Sequence, residues 1–181
     1  EMYGLTLQAL LRPADGLTIS LGARYSNDVT DAWSACCDDM NARPEDVPRE
    51  RQKEDAVTFQ GGVTYAINPS LNAYLSYGET FEPQPDRTVG GDFVDPLEGR
   101  SYEVGVKGDA LQRRISYSLA LFDMQLSNIA QPVPGTPWVI PAGTQRSRGV
   151  ELDFQGEVVP GWSVYTSVAW MKSEFTEGEL K

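Results

Sequence analysis

The chain has 181 residues, two-fifths of them apolar, and a net charge of -11; the length suits one ordinary domain, and the acidity argues against nucleic acid as a partner, which would favour a basic face. No apolar run approaches the ~18 residues of a membrane-spanning helix, which excludes a helical membrane protein but not a β-barrel, where half of each strand is polar. The absence of histidine removes Ser-His-Asp, Cys-His and His-ligated metal chemistry.

Eight segments alternate apolar and polar residues with period two: residues 2–11, 17–27, 55–67, 71–82, 98–108, 114–127, 145–158 and 162–175. The second sets Leu17, Ile19, Leu21, Ala23 and Tyr25 against Thr18, Ser20, Gly22, Arg24 and Ser26. The fourth sets Leu71, Ala73, Leu75 and Tyr77 against Asn72, Tyr74, Ser76 and Gly78, and the seventh sets Val150, Leu152 and Phe154 against Glu151, Asp153, Gln155 and Glu157. At 10 to 14 residues these exceed a globular strand of about five or six and suit a tilted strand crossing a bilayer, which needs roughly 9–11. The expected fold is all-β, an antiparallel up-and-down meander of eight long strands.

Short connections fall at residues 12–16, 68–70, 109–113 and 159–161, with Asp-Gly, Asn-Pro and Pro-Gly as breakers; long polar links fall at 28–54, 83–97 and 128–144. Short periplasmic turns alternating with longer extracellular loops produce that rhythm. Three ordinary loops longer than ~12–15 residues would be unusual in a compact soluble domain. Tyr25, Tyr77 and Trp170 lie toward the long-loop ends of their strands and Tyr65 and Trp162 adjoin short turns, as in two interfacial girdles. A soluble sandwich with aromatics at its rims is the competing reading.

On the polar face, Arg24, Gln60, Glu103, Lys107, Glu151, Asp153 and Glu157 are expected to point into a lumen. Long charged side chains suit the plugged lumen of a 22-stranded transporter, although an eight-stranded barrel also holds internal ion pairs. With the short turns in the periplasm, the first strand starts and the last strand ends on the outside. With no leader read before Glu1, a mature, truncated or partial chain is expected. The expectation is a piece of a larger barrel, because the first and last strands would otherwise be raw edges in lipid.

Several stretches resemble the TonB-dependent siderophore-receptor family. Residues 65–84, YAINPSLNAYLSYGETFEPQ, are similar to its Asn-Pro hairpin, and residues 95–108, DPLEGRSYEVGVKG, to its "P-E-x-x-x-x-Y-E-x-G-x-K" segment, with Leu97 interrupting the usual Pro-Glu. Residues 114–128, RISYSLALFDMQLSN, resemble the strand that follows; residues 142–162, AGTQRSRGVELDFQGEVVPGW, and the hairpin at 5–25 fit in turn. The resemblance implies roughly the tenth to seventeenth of 22 strands, with the plug, the TonB box and the last strands outside this sequence. It implies uptake of ferric siderophores across the bacterial outer membrane, with lipid and the TonB complex as partners, no covalently bound cofactor and no enzymatic activity. Uptake of cobalamin, a saccharide or another nutrient is the alternative within the same fold. A passive porin, a barrel enzyme and a soluble carbohydrate-binding sandwich are alternatives from other classes.

The family-like residues Tyr102, Glu103, Gly105, Lys107, Gly149, Val150 and Glu151 read as strand and lumen structure, with Lys107 and Glu151 as candidates for contact with a plug. Ligand contacts are expected from aromatic and cationic residues in or beside the long loops: Trp33, Phe81, Arg87, Phe93, Trp138 and Arg146. Each also has an ordinary loop-packing reading. Adjacent Cys36 and Cys37 lack the spacing of zinc ligands; in an oxidising location, pairing with each other or with another cysteine is the expectation. Asp38 and Asp39 read as a solvated acidic loop, since calcium needs six or more oxygens. No metal site is expected.

Overall fold

A computed structural model describes residues 1–33, 49–88, 90, 92–136, 138–141 and 143–177. Two-sided patterning leads to one sheet: β1 (Met2–Ala14), β2 (Leu17–Trp33), β3 (Arg49–Asn68), β4 (Leu71–Glu82), β5 (Leu97–Ala110), β6 (Ile115–Ser127), β9 (Thr144–Val159) and β10 (Trp162–Glu177). Their order is β1-β2-β3-β4-β5-β6-β9-β10, with every neighbour antiparallel. Two further strands, β7 (Ala130–Pro132) and β8 (Val139–Pro141), form a small hairpin inside the link between β6 and β9. No helix among the described residues is long and apolar enough to cross a membrane.

The meander, its chain order and its short turns follow the sequence pattern, and β4 keeps both expected ends. Two features depart from expectation. β2 and β3 continue past residues 27 and 55, with Asp28 opposite Glu54 and Trp33 opposite Arg49. Apolar alternation stops there, so the stretch reads as a polar loop, whereas the ladder needs only backbone amides. The hairpin of β7 and β8 is too short for a period to register.

Register assigns the faces. Leu21, Gly61 and Tyr77 lie in one row across β2, β3 and β4. Leu75, Val104, Leu121, Val150 and Trp170 form another across β4, β5, β6, β9 and β10. Much of this face is bare: Leu7 is 75 %, Leu121 53 % and Trp170 80 % exposed. The apolar residues buried among those described are only Val94, Ile115, Ala120 and Val139. A second sheet would have covered this face, as a sandwich requires; among the described residues none does so. An apolar belt of this extent on one face exceeds what a water-exposed monomer carries, and its fitting solvent is hydrocarbon.

The belt has defined borders. On the outward face Tyr65, Tyr117 and Trp162 lie near the short turns, and Tyr25, Tyr77, Tyr102 and Trp170 lie toward the long links. Tyr77 and Tyr102 stand 4.9 Å apart between ring centroids, and Tyr3 and Tyr25 6.3 Å. From Trp162 to Trp170 the strand runs roughly 26 Å along its own axis, about 20 Å along the membrane normal at the ~35–45° tilt of an outer-membrane barrel, inside its ~25 Å apolar band.

Short turns close the periplasmic-type ends. Pro160 and Gly161 link β9 to β10, Gly161 at φ 80; proline first and a left-handed glycine second make a type II turn. At the other end the sheet forks. Pairing of β3 with β4 ends at Gln60 opposite Gly78, while β2–β3 runs on to Trp33 and Arg49 and β4–β5 runs on to Glu82 and Leu97. At the crotch the Phe59 amide donates to the Glu79 carboxylate at 2.8 Å, and the Tyr77 hydroxyl donates to the same carboxylate. β1 and β10, the two edges, do not pair with each other.

Candidate functional site

Two groups of polar residues stand out: the face opposite the apolar belt and the cluster of long links. On the first, register places Arg24 opposite Thr58, Gln60 opposite Gly78, Glu103 opposite Ser76 and Lys107 opposite Asn72. Glu151 lies opposite Ala120 and Asp153 opposite Ser118. All six share the non-lipid face by strand parity. The grooves of the sheet open on this side, one bordered by Asn72, Lys107, Ser116, Ser118, Asp153 and Gln155.

Tyr74 organises this wall. Its hydroxyl donates to Glu103 at 2.6 Å, and the Lys107 ammonium lies 5.5 Å from its ring centre, within cation–π range. Tyr74 stands opposite Gly105, where a Cβ would come within 2.7 Å of the Tyr74 hydroxyl oxygen. The glycine leaves room for the ring to cross its neighbour, a use of glycine in strands where groups approach closely. Ser118 donates to Asp153 at 3.0 Å, and Ser116 to Asp109 at 2.7 Å. The result is a wall of carboxylates, hydroxyls and one lysine on the face away from the apolar belt. Sequence reading placed Tyr74 on this face but assigned it no role; the signal was an aromatic within an otherwise polar row.

The second group ties three links together. The Gln84 side-chain amide donates to the carbonyls of Asp95 and Asn128, both at 2.6 Å. Asn128, at φ 62, donates to the Pro96 carbonyl at 2.8 Å; asparagine tolerates this left-handed geometry better than most residues. Gln52, buried on the β3 arm, donates to the Gln84 carbonyl at 3.3 Å. Val94 and Val139, 3 % and 6 % exposed, supply a small apolar centre. Because Gln84 joins the β4–β5 link to the β6–β9 link, Gln84→Ala leaves two carbonyls without their donor. The expected cost is about 1–3 kcal/mol in local stability, read as faster amide exchange across residues 83–96 and 128–141 with the transmembrane strands unchanged.

The loop candidates divide. Arg87 forms a bridge with Phe93 and lies 4.0 Å over its ring. The Val139 amide donates to the Arg87 carbonyl at 2.9 Å, which places the backbone next to Trp138 beside this bridge. Phe81 lies instead on β4, sharing the outward parity of Tyr77 and Glu79. Arg146 is also on a strand and faces outward; its Nε donates to Asp123 at 2.8 Å and its Nη2 takes the other carboxylate oxygen. Trp33 ends β2, and its side chain lies outside the described residues, as do Cys36, Cys37, Asp38 and Asp39.

The match to known proteins agrees with this architecture. A family model described as "TonB dependent receptor-like, beta-barrel" matches residues 1–180. The chain is 30% identical to a ferric-pyoverdine 358 receptor of Pseudomonas putida over 174 residues, covering 91% of this chain and 20% of that protein. It is 32% identical to a metal-pseudopaline receptor of Pseudomonas aeruginosa over 147 residues, covering 78% of this chain and 21% of the other. Among solved structures, the alcaligin outer-membrane receptor of Bordetella pertussis superposes with a TM-score of 0.75 at 26% identity, covering 99% of this chain and 31% of that one. The chain thus spans about a fifth of the length of these curated relatives. It belongs to the TonB-dependent receptor family, as a segment of the outer-membrane β-barrel.

Proposed function

We propose that this chain forms part of the wall and extracellular mouth of a TonB-dependent receptor that imports ferric siderophores. The observation that carries the reading is the family match across residues 1–180, joined to relatives named for ferric pyoverdine, metal-pseudopaline and alcaligin. The two sheet edges without a mutual pairing fit neighbouring strands of a larger barrel, of 22 strands in all, around a plug that couples to TonB. In this arrangement the short turns face the periplasm and the tied links face outward. The wall of Arg24, Gln60, Glu103, Lys107, Glu151 and Asp153 lines the lumen against the plug, and Arg87, Phe93 and Trp138 stand at the mouth. A chelate with aromatic and polar groups suits them, since an arginine on an aromatic face offers both stacking and charge.

The test is uptake of radiolabelled iron from defined chelates by cells with and without the intact gene. Iron supplied as a siderophore should enter only with the gene, and Trp138→Ala or Phe93→Ala should weaken uptake about tenfold, the loss of roughly one aromatic contact. Lys107→Ala and Glu151→Ala should lower uptake through the plug contact. Gene-dependent entry of cobalamin or a saccharide, with no siderophore transported, would refute the iron assignment while keeping the family.

A further inference from the structure

The face turned away from the belt is not uniformly polar. Toward the long links, β6 carries Phe122, Met124 and Leu126 on that face, opposite Glu103, Ser101 and Gly99 of β5. Two of these rows continue across β9, through Gly149 and Gln145, to Met171 and Phe175 of β10. A Cβ at Gly149 would stand 2.7 Å from the Phe122 ring and 2.9 Å from the Met171 Cβ; the glycine leaves room for both side chains over β9. The result is a groove of about 570 Å³ with Phe122, Met124, Ala169 and Met171 in its wall and Ser101 and Ser147 at its border. Met124 and Met171 are 45% and 57% exposed, and methionine adapts its shape to the apolar surface it meets.

The charge of this face is one-sided. Asp28, Glu54, Glu82, Glu103, Glu151 and Asp153 share its parity. Among the described residues of β2 to β10, the cations that share it are Arg24 and Lys107. Glu103 and Asp153 are held by the hydroxyls of Tyr74 and Ser118 rather than by cations, so their charge is not cancelled there. The residues of β6 and β10 that border the groove carry no charge. Between low-dielectric walls a field of one sign is focused; this one repels an anion and leaves a neutral solute unopposed.

We infer that this part of the mouth selects an uncharged ferric chelate with an apolar flank, the ferric trishydroxamate class, over anionic tris-catecholates. Iron(III) held by three singly charged hydroxamates is neutral, and the methylene spacers between them present apolar surface for Phe122, Met124 and Met171 to cover. Iron(III) held by three doubly charged catecholates remains a trianion. Along this wall it meets Glu54, Glu82 and Glu103, with no cation from β6 or β10 to receive it. The groove has the volume of a small-molecule site, roughly 300–1,000 Å³. The inference rests on the ferric-siderophore reading proposed above and narrows it to one chemical class.

The experiment uses the full-length receptor and measures equilibrium binding of iron-labelled chelates in mild detergent, with uptake by cells as a second readout. The probes are panels of ferric trishydroxamates and ferric tris-catecholates of similar size. The best trishydroxamate should bind at least about tenfold more tightly than any tris-catecholate at low salt, and the gap should narrow in molar salt. Met124→Gln combined with Met171→Gln should weaken the trishydroxamate about tenfold. Met171→Arg should weaken it too while tightening the tris-catecholate. Equal affinity for the two classes, or preference for tris-catecholates, overturns the inference. Unchanged chelate binding in the methionine variants with a lower unfolding midpoint also overturns it, by showing that the groove seats the plug. If a variant fails to fold, the two panels on the unmodified receptor decide. Uptake of an iron chelate from neither class refutes the selection alone, whereas gene-dependent entry of only cobalamin or a saccharide refutes the ferric-siderophore reading itself.

Discussion

Leu152→Arg is expected to destabilise the inserted barrel by about 2–4 kcal/mol, the cost of a cation near the bilayer midplane. Leu152 is 47 % exposed between Leu119 and Val168, so its side chain has apolar neighbours across the sheet and no protein above it. In water such a residue would tolerate arginine with little penalty, because surface substitutions usually change stability within about 0.5 kcal/mol. In lipid the guanidinium must climb to the headgroups or draw water inward. The contrast lies one residue of parity away. Ser167 stands opposite Asp153 on the other face, and Ser167→Arg should be nearly neutral, since the new cation meets a carboxylate in water. Urea unfolding of the full receptor in bilayers, followed by heat-modifiable migration, reads both variants. Equal costs for the two would mean that neither face meets hydrocarbon.

Gly156→Val should cost about 3 kcal/mol or more and separate β6 from β9 at their lower end, since strained backbone and overpacking act together there. Gly156 has φ 150 and stands opposite Ile115. A Cβ there would collide with the Arg114 carbonyl oxygen and stand 2.7 Å from the Ile115 Cα. Both obstacles are backbone, so no rotamer relieves them. The strained φ contributes about 1–3 kcal/mol and overpacking a similar amount. The same carbonyl accepts from the Glu157 amide at 3.0 Å, so moving it away breaks the junction that starts the β9–β10 hairpin. The expected readout is faster amide exchange at residues 115–118 and 153–157, together with a lower urea midpoint. Gly135 is also at positive φ, but a Cβ added there would meet nothing within 4 Å. Its substitution by alanine should cost about 1 kcal/mol, from backbone conformation alone.

The transmembrane part of this fold was legible because lipid and water impose opposite demands on alternate residues. Leu71 to Glu82 could be bounded to the residue: Asn68 and Ser70 make the turn before it through the Ser70 amide and the Asn68 side chain, 2.9 Å apart, and Pro83 follows it. Parity also told which residues share a face, since a one-residue slip would have moved Glu103 and Lys107 on β5 together, and a slip of β9 would have moved Glu151 and Asp153 together. Beyond the belt both faces meet water, so the pattern fades while the ladder persists; hence Asp28 to Trp33 read as loop and pairs as strand. The loop cluster was harder still. Gln84 binds carbonyls 11 and 44 residues away, and no local period encodes a long-range contact of that kind. Arg146 and Phe81 were chosen by residue type near a loop, whereas their side is set by parity: they share the outward face, and Arg146 is engaged by Asp123.

The fork above Gln60 and Gly78 has a mechanical meaning. Below it, eight strands share a continuous ladder, and bending one requires bending its neighbours. Above it, β1, β2 and β3 form one leaf and β4, β5, β6, β9 and β10 another, joined through Glu79 at the crotch and Gln52 with Gln84 near the rim. Side-chain links of this sort cost far less to exchange than a run of ladder hydrogen bonds. Among the described residues the upper ends of the two leaves are thus held to each other by side-chain contacts, and their separation is expected to open at lower cost than the strands below it.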